Sequence, residues 1–339
     1  MESIKERKFI LPKENELSHT LVIGGSKEEK EREVFKPLLK QLLQSKKEGE
    51  ALSVSVIESN GELSKTINHV SKEIGVSHNH ISLSKEDTTE KYNVLNGESK
   101  EAFNALSITL RQLSKDDPFF NSIRESVIQN TVQLIKELNN DADITDLYIV
   151  IKFPNKLKKK VNELKEIKGN TELVRFFETT LFGSKSNHYL VALNILKNQL
   201  ENLFSKNKKI EEITTSLSTF NINEHVTNQG VLSVNTANEE TEEFGSLFGQ
   251  LFMMNLQNEL FNNKNDVKHY LIIDEISKYI NPKTELLINV ARAFNVFCIF
   301  TTNRVEDLEI EADKLNGDSI KKVILNNCET YSLSENEGE

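Results

Sequence analysis

Two adjacent carboxylates close an apolar run. Val267 to Ile273 leads directly into Asp274 and Glu275. An aspartate at the carboxyl end of a strand can hold Mg²⁺ through water, and a neighbouring glutamate can polarise an attacking water. A second pattern begins at His19, where Leu21, Val22 and Ile23 run into Gly24 and Gly25. Apolar residues followed by paired glycines predict a buried strand and a tight turn. A third apolar run, Val296 to Phe300, ends in Thr301, Thr302 and Asn303. Three such ends at the carboxyl edge of one parallel sheet would form a ligand cleft.

The glycine turn departs from a phosphate-binding loop. That loop reads G-x-x-x-x-G-K-[ST]. Here Gly24, Gly25, Ser26 and Lys30 remain, but Glu29 stands for the second glycine and Glu31 for the hydroxyl residue. Two like unit charges about 4 Å apart repel by about 4 kcal/mol at an effective dielectric of 20. Glu29 therefore opposes a triphosphate. The same residues also read as a charged first helical turn, with acids on the positive end of the helix dipole.

The elements around these residues follow from periodicity. Residues 27–45 carry Val34, Leu38, Leu39, Leu42 and Leu43 at helical spacing, with Pro37 weakening the pattern or lying in a first turn. Leu52 to Ile57 alternates as a second strand. Strand, turn, helix and strand predict a βαβ unit with parallel pairing. From Glu98 to Thr214 the texture becomes amphipathic and helical. Asp117-Pro118 suits a helix start, and the short run Leu147–Phe153 leaves strand and helix open. Strand texture returns at 230–234, followed by a helix from about Thr241 to Leu260 and another near 285–294. Val323, Ile324 and Leu325 suggest a last short strand before an acidic tail at 334–339. The predicted class is α/β: a mostly parallel sheet flanked by helices, with an all-α insertion. The expected boundaries are 1–97 with 215–339 for the sheet domain and 98–214 for the insertion.

Composition narrows the functional classes. The chain has 339 residues, about two domains' worth. Its net charge of −10 argues against coating nucleic acid over the whole surface. It leaves room for a local basic patch, and Lys156, Lys158, Lys159 and Lys160 are the candidate phosphate contacts. The alternative for that run is a solvated helix face without interleaved aromatics for base stacking. Arg292 precedes the Val296 strand and could reach a neighbour's nucleotide, or form an ordinary ion pair. Cys298 and Cys328 cannot staple a chain of this size, and His78 with His80 lacks a third metal ligand nearby. No run reaches the roughly 18 apolar residues of a membrane span. Residues 1–8 are charged, without the apolar core of a signal peptide. A reduced, cytoplasmic chain is expected.

The order of these landmarks resembles the soluble domain of TraG/TraD-type coupling proteins of type IV secretion, in the FtsK/HerA group of P-loop, RecA-like DNA-pumping ATPases. His19 to Ser26 is similar to the family's Walker A entry. Val56 to Leu63 is similar to its D-P-K-G-E-L segment, and Tyr92-Asn93-Val94-Leu95 to its N-P-L. Asp117 to Phe120 is similar to its d-p-f-f entry, Leu271 to Glu275 to Walker B, and Thr301 to Asn303 to its Thr-Gln sensor. The resemblance implies ATP and Mg²⁺ as cofactors. Gly24, Gly25, Ser26 and Lys30 would hold phosphates, Asp274 would hold Mg²⁺ through water, Glu275 would activate water, Asn303 would sense the nucleotide, and Arg292 would act on a neighbour. It implies DNA, a relaxase or other secretion proteins as partners. A hexamer, or an assembly with a catalytic paralogue, would form at the inner face of the membrane through partners. Glu29, Glu31, Glu58-Ser59-Asn60 for D-P-K, Val94 for the proline and Asn303 for glutamine cluster on the nucleotide site. The expectation is a DNA-translocation ATPase relative in conjugative transfer with weakened or lost hydrolysis. The alternatives are a non-catalytic adaptor for relaxase, DNA or a catalytic paralogue, and a phage or plasmid DNA-packaging ATPase.

Overall fold

The computed structural model describes residues 18–113, 118–183, 187–214, 218–239, 242–263, 267–314 and 318–333. Asp117, Thr241, the charged run 1–8 and the acidic tail 334–339 lie outside the described residues. The chain divides into two compact units, residues 1–90 with 222–339, and residues 91–221.

The first unit is built on seven strands: β1 His19–Gly24, β2 Leu52–Glu58, β3 Asn79–Ser82, β4 Val231–Asn235, β5 Lys268–Ile273, β6 Val296–Thr302 and β7 Cys328–Leu333. Their order is β3-β4-β2-β5-β6-β1-β7, and every neighbouring pair is parallel. Every residue of β2, β4 and β6 is buried. Helices cover both faces of such a sheet, so its central strands read as continuous apolar runs. One face packs Val22, Val54, Val56, Ile272 and Ile299 against Val34, Leu38, Leu39, Leu42 and Leu43 of the following helix.

Two expectations are corrected here, and one left open is resolved. First, β1 and β2 are parallel but not neighbours, because β5 and β6 lie between them. Long crossovers carry later strands into the gap, and local sequence carries no record of that insertion. Second, of the two readings left open for Pro37, the structure takes the first-turn one. The chain runs through Lys27–Lys30, a wide π-helical turn at Glu31–Phe35 and then Lys36–Lys47, with Pro37 in the first turn of that last segment. The Lys36 N–H reaches back five residues to the Glu31 carbonyl. The widened turn relieves the ring's clash with the preceding helical carbonyl. Third, Val323–Leu325 belongs to the helix Asp318–Asn327, and the last strand is Cys328–Leu333. Ile320 and Ile324 are buried four residues apart, whereas Lys322 and Asn326 are exposed. Burial of one helical stripe decides the period that three apolar residues left open.

The second unit is helical throughout its regular elements. The ambiguous run forms the helix Ile144–Lys152. Its Asp143 cap accepts the N–H groups of Thr145 and Asp146, and Asp146 returns a bond to the Asp143 N–H. Phe153, held extended before Pro154, separates it from the helix Pro154–Lys168.

Buried histidines set an acid limit on the first unit. Burial, then the Arg292 charge, pulls His19 down to about 4. Burial, then His80 and Lys72, brings His78 to about 4. Burial and Lys46 bring His225 to about 3, and burial with His225 holds His269 well below 6.5. The folded state keeps these rings neutral, so their contribution is complete above pH 6.5 and is lost as pH falls towards 4. Urea midpoints should fall by an amount worth several kcal/mol between pH 7.5 and 5. A flat midpoint across that range would contradict the assignment.

Candidate functional site

Register brings the three marked ends together. Ile23 pairs with Thr302, and Ile273 with Phe300, so the chain leaves β1, β6 and β5 side by side at one edge. Lys30 lies there 3% exposed, and its Nζ donates to Asn303 Oδ1 at 2.7 Å. Asn303 Nδ2 donates to Glu275 Oε1 at 3.0 Å. Glu275 Oε2 meets Lys278 Nζ at 2.8 Å, and Lys278 also reaches Glu242 at 2.7 Å and Ser59 Oγ at 2.9 Å. A continuous polar chain thus links the ends of β1, β6, β5 and β2.

Asp274 is held just as closely. Thr301 Oγ1 donates to Asp274 Oδ1 at 2.6 Å, and Asn60 Nδ2 to Oδ2 at 3.3 Å. The Asp274 N–H reaches the Ile57 carbonyl, and the Glu275 N–H reaches Thr301 Oγ1. Glu275 has φ 55°, a left-handed conformation uncommon for a residue with a side chain. Burial disfavours the charged form of Glu275, but Lys278, Asn303 and Lys30 outweigh it and hold its carboxyl below the usual range. Burial likewise opposes the Lys278 ammonium, and Glu242 with Glu275 raises it above the ordinary value.

The glycine turn needs its glycines. Gly24 and Gly25 have φ 79° and 76°. A Cβ would lie 2.9 Å from the Leu333 carbonyl oxygen at Gly24 and 2.8 Å from Leu333 Cδ1 at Gly25. Ser26 then caps the helix. Its Oγ accepts the Glu29 N–H at 3.2 Å, and Glu29 Oε2 accepts the Ser26 N–H at 2.8 Å. This capping box places a carboxylate on an N–H at the positive end of the helix. Glu31, at the hydroxyl position, accepts from Thr66 Oγ1 at 2.9 Å.

Gly24, Gly25, Ser26, Lys30, Asp274, Glu275 and Asn303 therefore share one edge. Arg292 does not join them: it is exposed before β6, near His19 and Cys328, which begin β1 and β7 at the opposite edge. Lys156, Lys158, Lys159 and Lys160 lie on Pro154–Lys168 in the other unit, where Lys160 pairs with Glu163 at 3.0 Å. His78 and His80 share Ser233 Oγ, and no metal-holding group of three ligands occurs among the described residues. Sequence reasoning passed over Lys278, whose signal was its position three residues after Glu275. It also passed over the new role of Glu58. That buried carboxylate accepts the N–H groups of Asn60, Gly61 and Ser64 and caps the helix Glu62–Ile74. A cleft of about 430 Å³ opens beside Glu275, between Lys27, Asn60, Thr236, Glu242 and Lys278. Gly24, Gly25 and Lys30 do not line it.

Asn303 bridges a buried ammonium and a carboxylate, so Asn303→Ala leaves Lys30 without that acceptor. The expected cost is about 1–3 kcal/mol in urea unfolding. A loss below about 0.5 kcal/mol, the size of an ordinary surface change, would remove the bridge from any structural role.

No protein-family model matches the sequence, and no curated protein matches it. Solved structures share its fold. The unbound bacterial conjugative coupling protein TrwBΔN70 is 13% identical with a TM-score of 0.63, over 91% of this chain and 67% of that one. The plasmid coupling protein TrwB in complex with ADP and Mg²⁺ is 13% identical with a TM-score of 0.53, over 83% of this chain and 70% of that one. VirB4 of Thermoanaerobacter pseudethanolicus is 11% identical with a TM-score of 0.57, over 94% and 78%.

Proposed function

Given a chain with the P-loop ATPase fold of TraG/TraD-type coupling proteins, we propose that it serves conjugative DNA transfer or type IV secretion as a translocase relative with weakened or lost ATP hydrolysis. The observation that carries this reading is the Glu29 carboxylate seated on the Ser26 N–H. It lies where a phosphate-binding loop of this kind receives phosphate. The other groups that would handle a magnesium triphosphate are also engaged within the chain: Lys30 by Asn303, Glu275 by Lys278, both Asp274 oxygens by Thr301 and Asn60. Glu31 offers a carboxylate in place of the metal-binding hydroxyl and is turned to Thr66. Engaged in this way, the donor set does not fit ATP with Mg²⁺.

On this reading the strand ends work as a joint. Lys30, Asn303 and Glu275 fix β1, β6 and β5 against one another in place of a ligand. DNA, relaxase and secretion proteins are the proposed partners, with Lys156, Lys158, Lys159 and Lys160 facing DNA. Assembly would be with copies of itself or with a catalytic paralogue, whose nucleotide Arg292 could approach. Among the described residues no helix is long and apolar enough to cross a membrane. A place at the inner face of the membrane would therefore depend on partners.

ATP turnover with DNA present should not exceed that of the Glu275→Gln variant. Robust DNA-stimulated turnover that Glu275→Gln abolishes would overturn the proposal. The same self-satisfied site favours a second reading, the non-catalytic adaptor. A nucleotide at 100 times its Kd adds about 2.7 kcal/mol to stability. Absence of any Mg²⁺-ATP-dependent rise in Tm selects the adaptor, whereas a rise without turnover selects the translocase relative that binds nucleotide and has lost hydrolysis.

The inhibitory role of the acids is separately testable. Glu29→Gly with Glu31→Ser frees the Ser26 N–H and restores a hydroxyl. The paired substitution should cost about 1 kcal/mol of helix capping while gaining a Mg²⁺-ATP-dependent rise in Tm. A variant as indifferent to nucleotide as the parent would place the obstacle elsewhere.

A further inference from the structure

Phe153 stands at the corner between the helices Ile144–Lys152 and Pro154–Lys168, and its side chain is 45% exposed. Two ammonium groups flank it: Lys152 Nζ lies 5.7 Å and Lys156 Nζ 5.3 Å from the ring centre. Lys152 also donates to the Tyr148 hydroxyl at 2.9 Å and sits 4.9 Å from that ring's centre. Lys158, two residues after Lys156 and so on the opposite flank of the helix, has its Nζ 4.9 Å from the centre of the Phe182 ring. Lys159, three residues after Lys156, returns to the Phe153 side.

The charges on this helix divide into two sets. Lys160, Lys165 and Lys168 are paired with Glu163, Glu178 and Glu137. Lys156, Lys158 and Lys159 have no carboxylate partner among the described residues. Unpaired lysines around a water-facing ring suit an anionic polymer that also offers flat, apolar faces. Single-stranded nucleic acid has that chemistry, because its bases can leave the strand and stack on aromatic rings while phosphates meet cations. A duplex keeps its bases stacked inside and would use only the lysines. A bilayer surface would need a continuous apolar helical face, yet Leu157, Val161 and Leu164 of this helix are buried.

We propose that this face of the helical unit binds single-stranded DNA, with a base stacked on Phe153 and phosphates held by Lys152, Lys156 and Lys159. The choice of DNA rests on the function proposed above. The stacking does not.

The test is fluorescence anisotropy of the full chain with a labelled oligothymidylate of about 20 nucleotides, a duplex of the same length, and vesicles of phosphatidylserine and phosphatidylcholine. The single strand should bind at least about tenfold tighter than the duplex. Phe153→Ala should weaken it about 5- to 100-fold, the range that one stacked base supplies, and Phe153→Trp should retain binding. Changing Lys156 and Lys159 to Gln should flatten the dependence of log K on log salt by about 1.4, at about 0.7 per phosphate contact. Equal binding of both DNA forms, unaffected by Phe153→Ala, would overturn the stacking site and leave the conjugative reading intact. Vesicle binding that depends on Phe153, without DNA binding, would overturn it in favour of a membrane contact. No binding to any probe would remove both this site and the proposed DNA contact of the lysines.

Discussion

An ammonium group cannot leave water without a partner. Lys30 is almost wholly buried, and the Asn303 oxygen answers it. Desolvating a lone cation costs several kcal/mol, so the fold must deliver that acceptor to that point. Delivery requires β6 to lie beside β1, and the other end of the Asn303 amide requires β5 to lie beside β6. The strand order and the polar chain across the strand ends are thus two descriptions of one constraint. In a nucleotide-binding relative of this fold, phosphate could satisfy such a lysine. Here a neutral amide bridges the ammonium to Glu275, which in turn pairs with Lys278.

Legibility in the sequence tracked the length and purity of apolar runs. β1, β5 and β6 stood out because parallel strands buried on both faces carry near-continuous apolar runs, and β2 by the alternation of its serines with aliphatic residues. β3 did not, since Asn79–Ser82 has four residues and only one aliphatic among them. β7 escaped because Cys328–Leu333 alternates weakly, while the denser apolar triplet just before it belonged to a helix. The glycine turn and the two carboxylates were visible by type and spacing alone. The partners of those groups were not. Ser26 and Glu29 form a local box, but Lys30 to Asn303 spans 273 residues and Asp274 to Asn60 spans 214. The same holds on the helical unit, where the Phe182 ring reaches Lys158 through the fold rather than through the chain.

The two units divide the chemistry between them. At its strand ends the sheet unit engages Lys30, Asn303, Glu275 and Asp274 internally. Even Glu58, at the end of β2, is spent on the first turn of the next helix, with burial raising its carboxyl above the usual range. The helical unit does the opposite around Phe153, leaving lysines and an aromatic ring in water. One surface is chemically saturated and the other unsatisfied, which separates a region suited to holding shape from a region suited to meeting another molecule.

The wide turn at Glu31–Phe35 sets the helix after the glycines into two phases. Residues ahead of it are indexed to the strand ends, and the leucine seam behind it is indexed to the sheet. The extra residue in that turn decouples the two registers. The leading segment can therefore exchange Glu29 for glycine without rotating a single leucine out of the core.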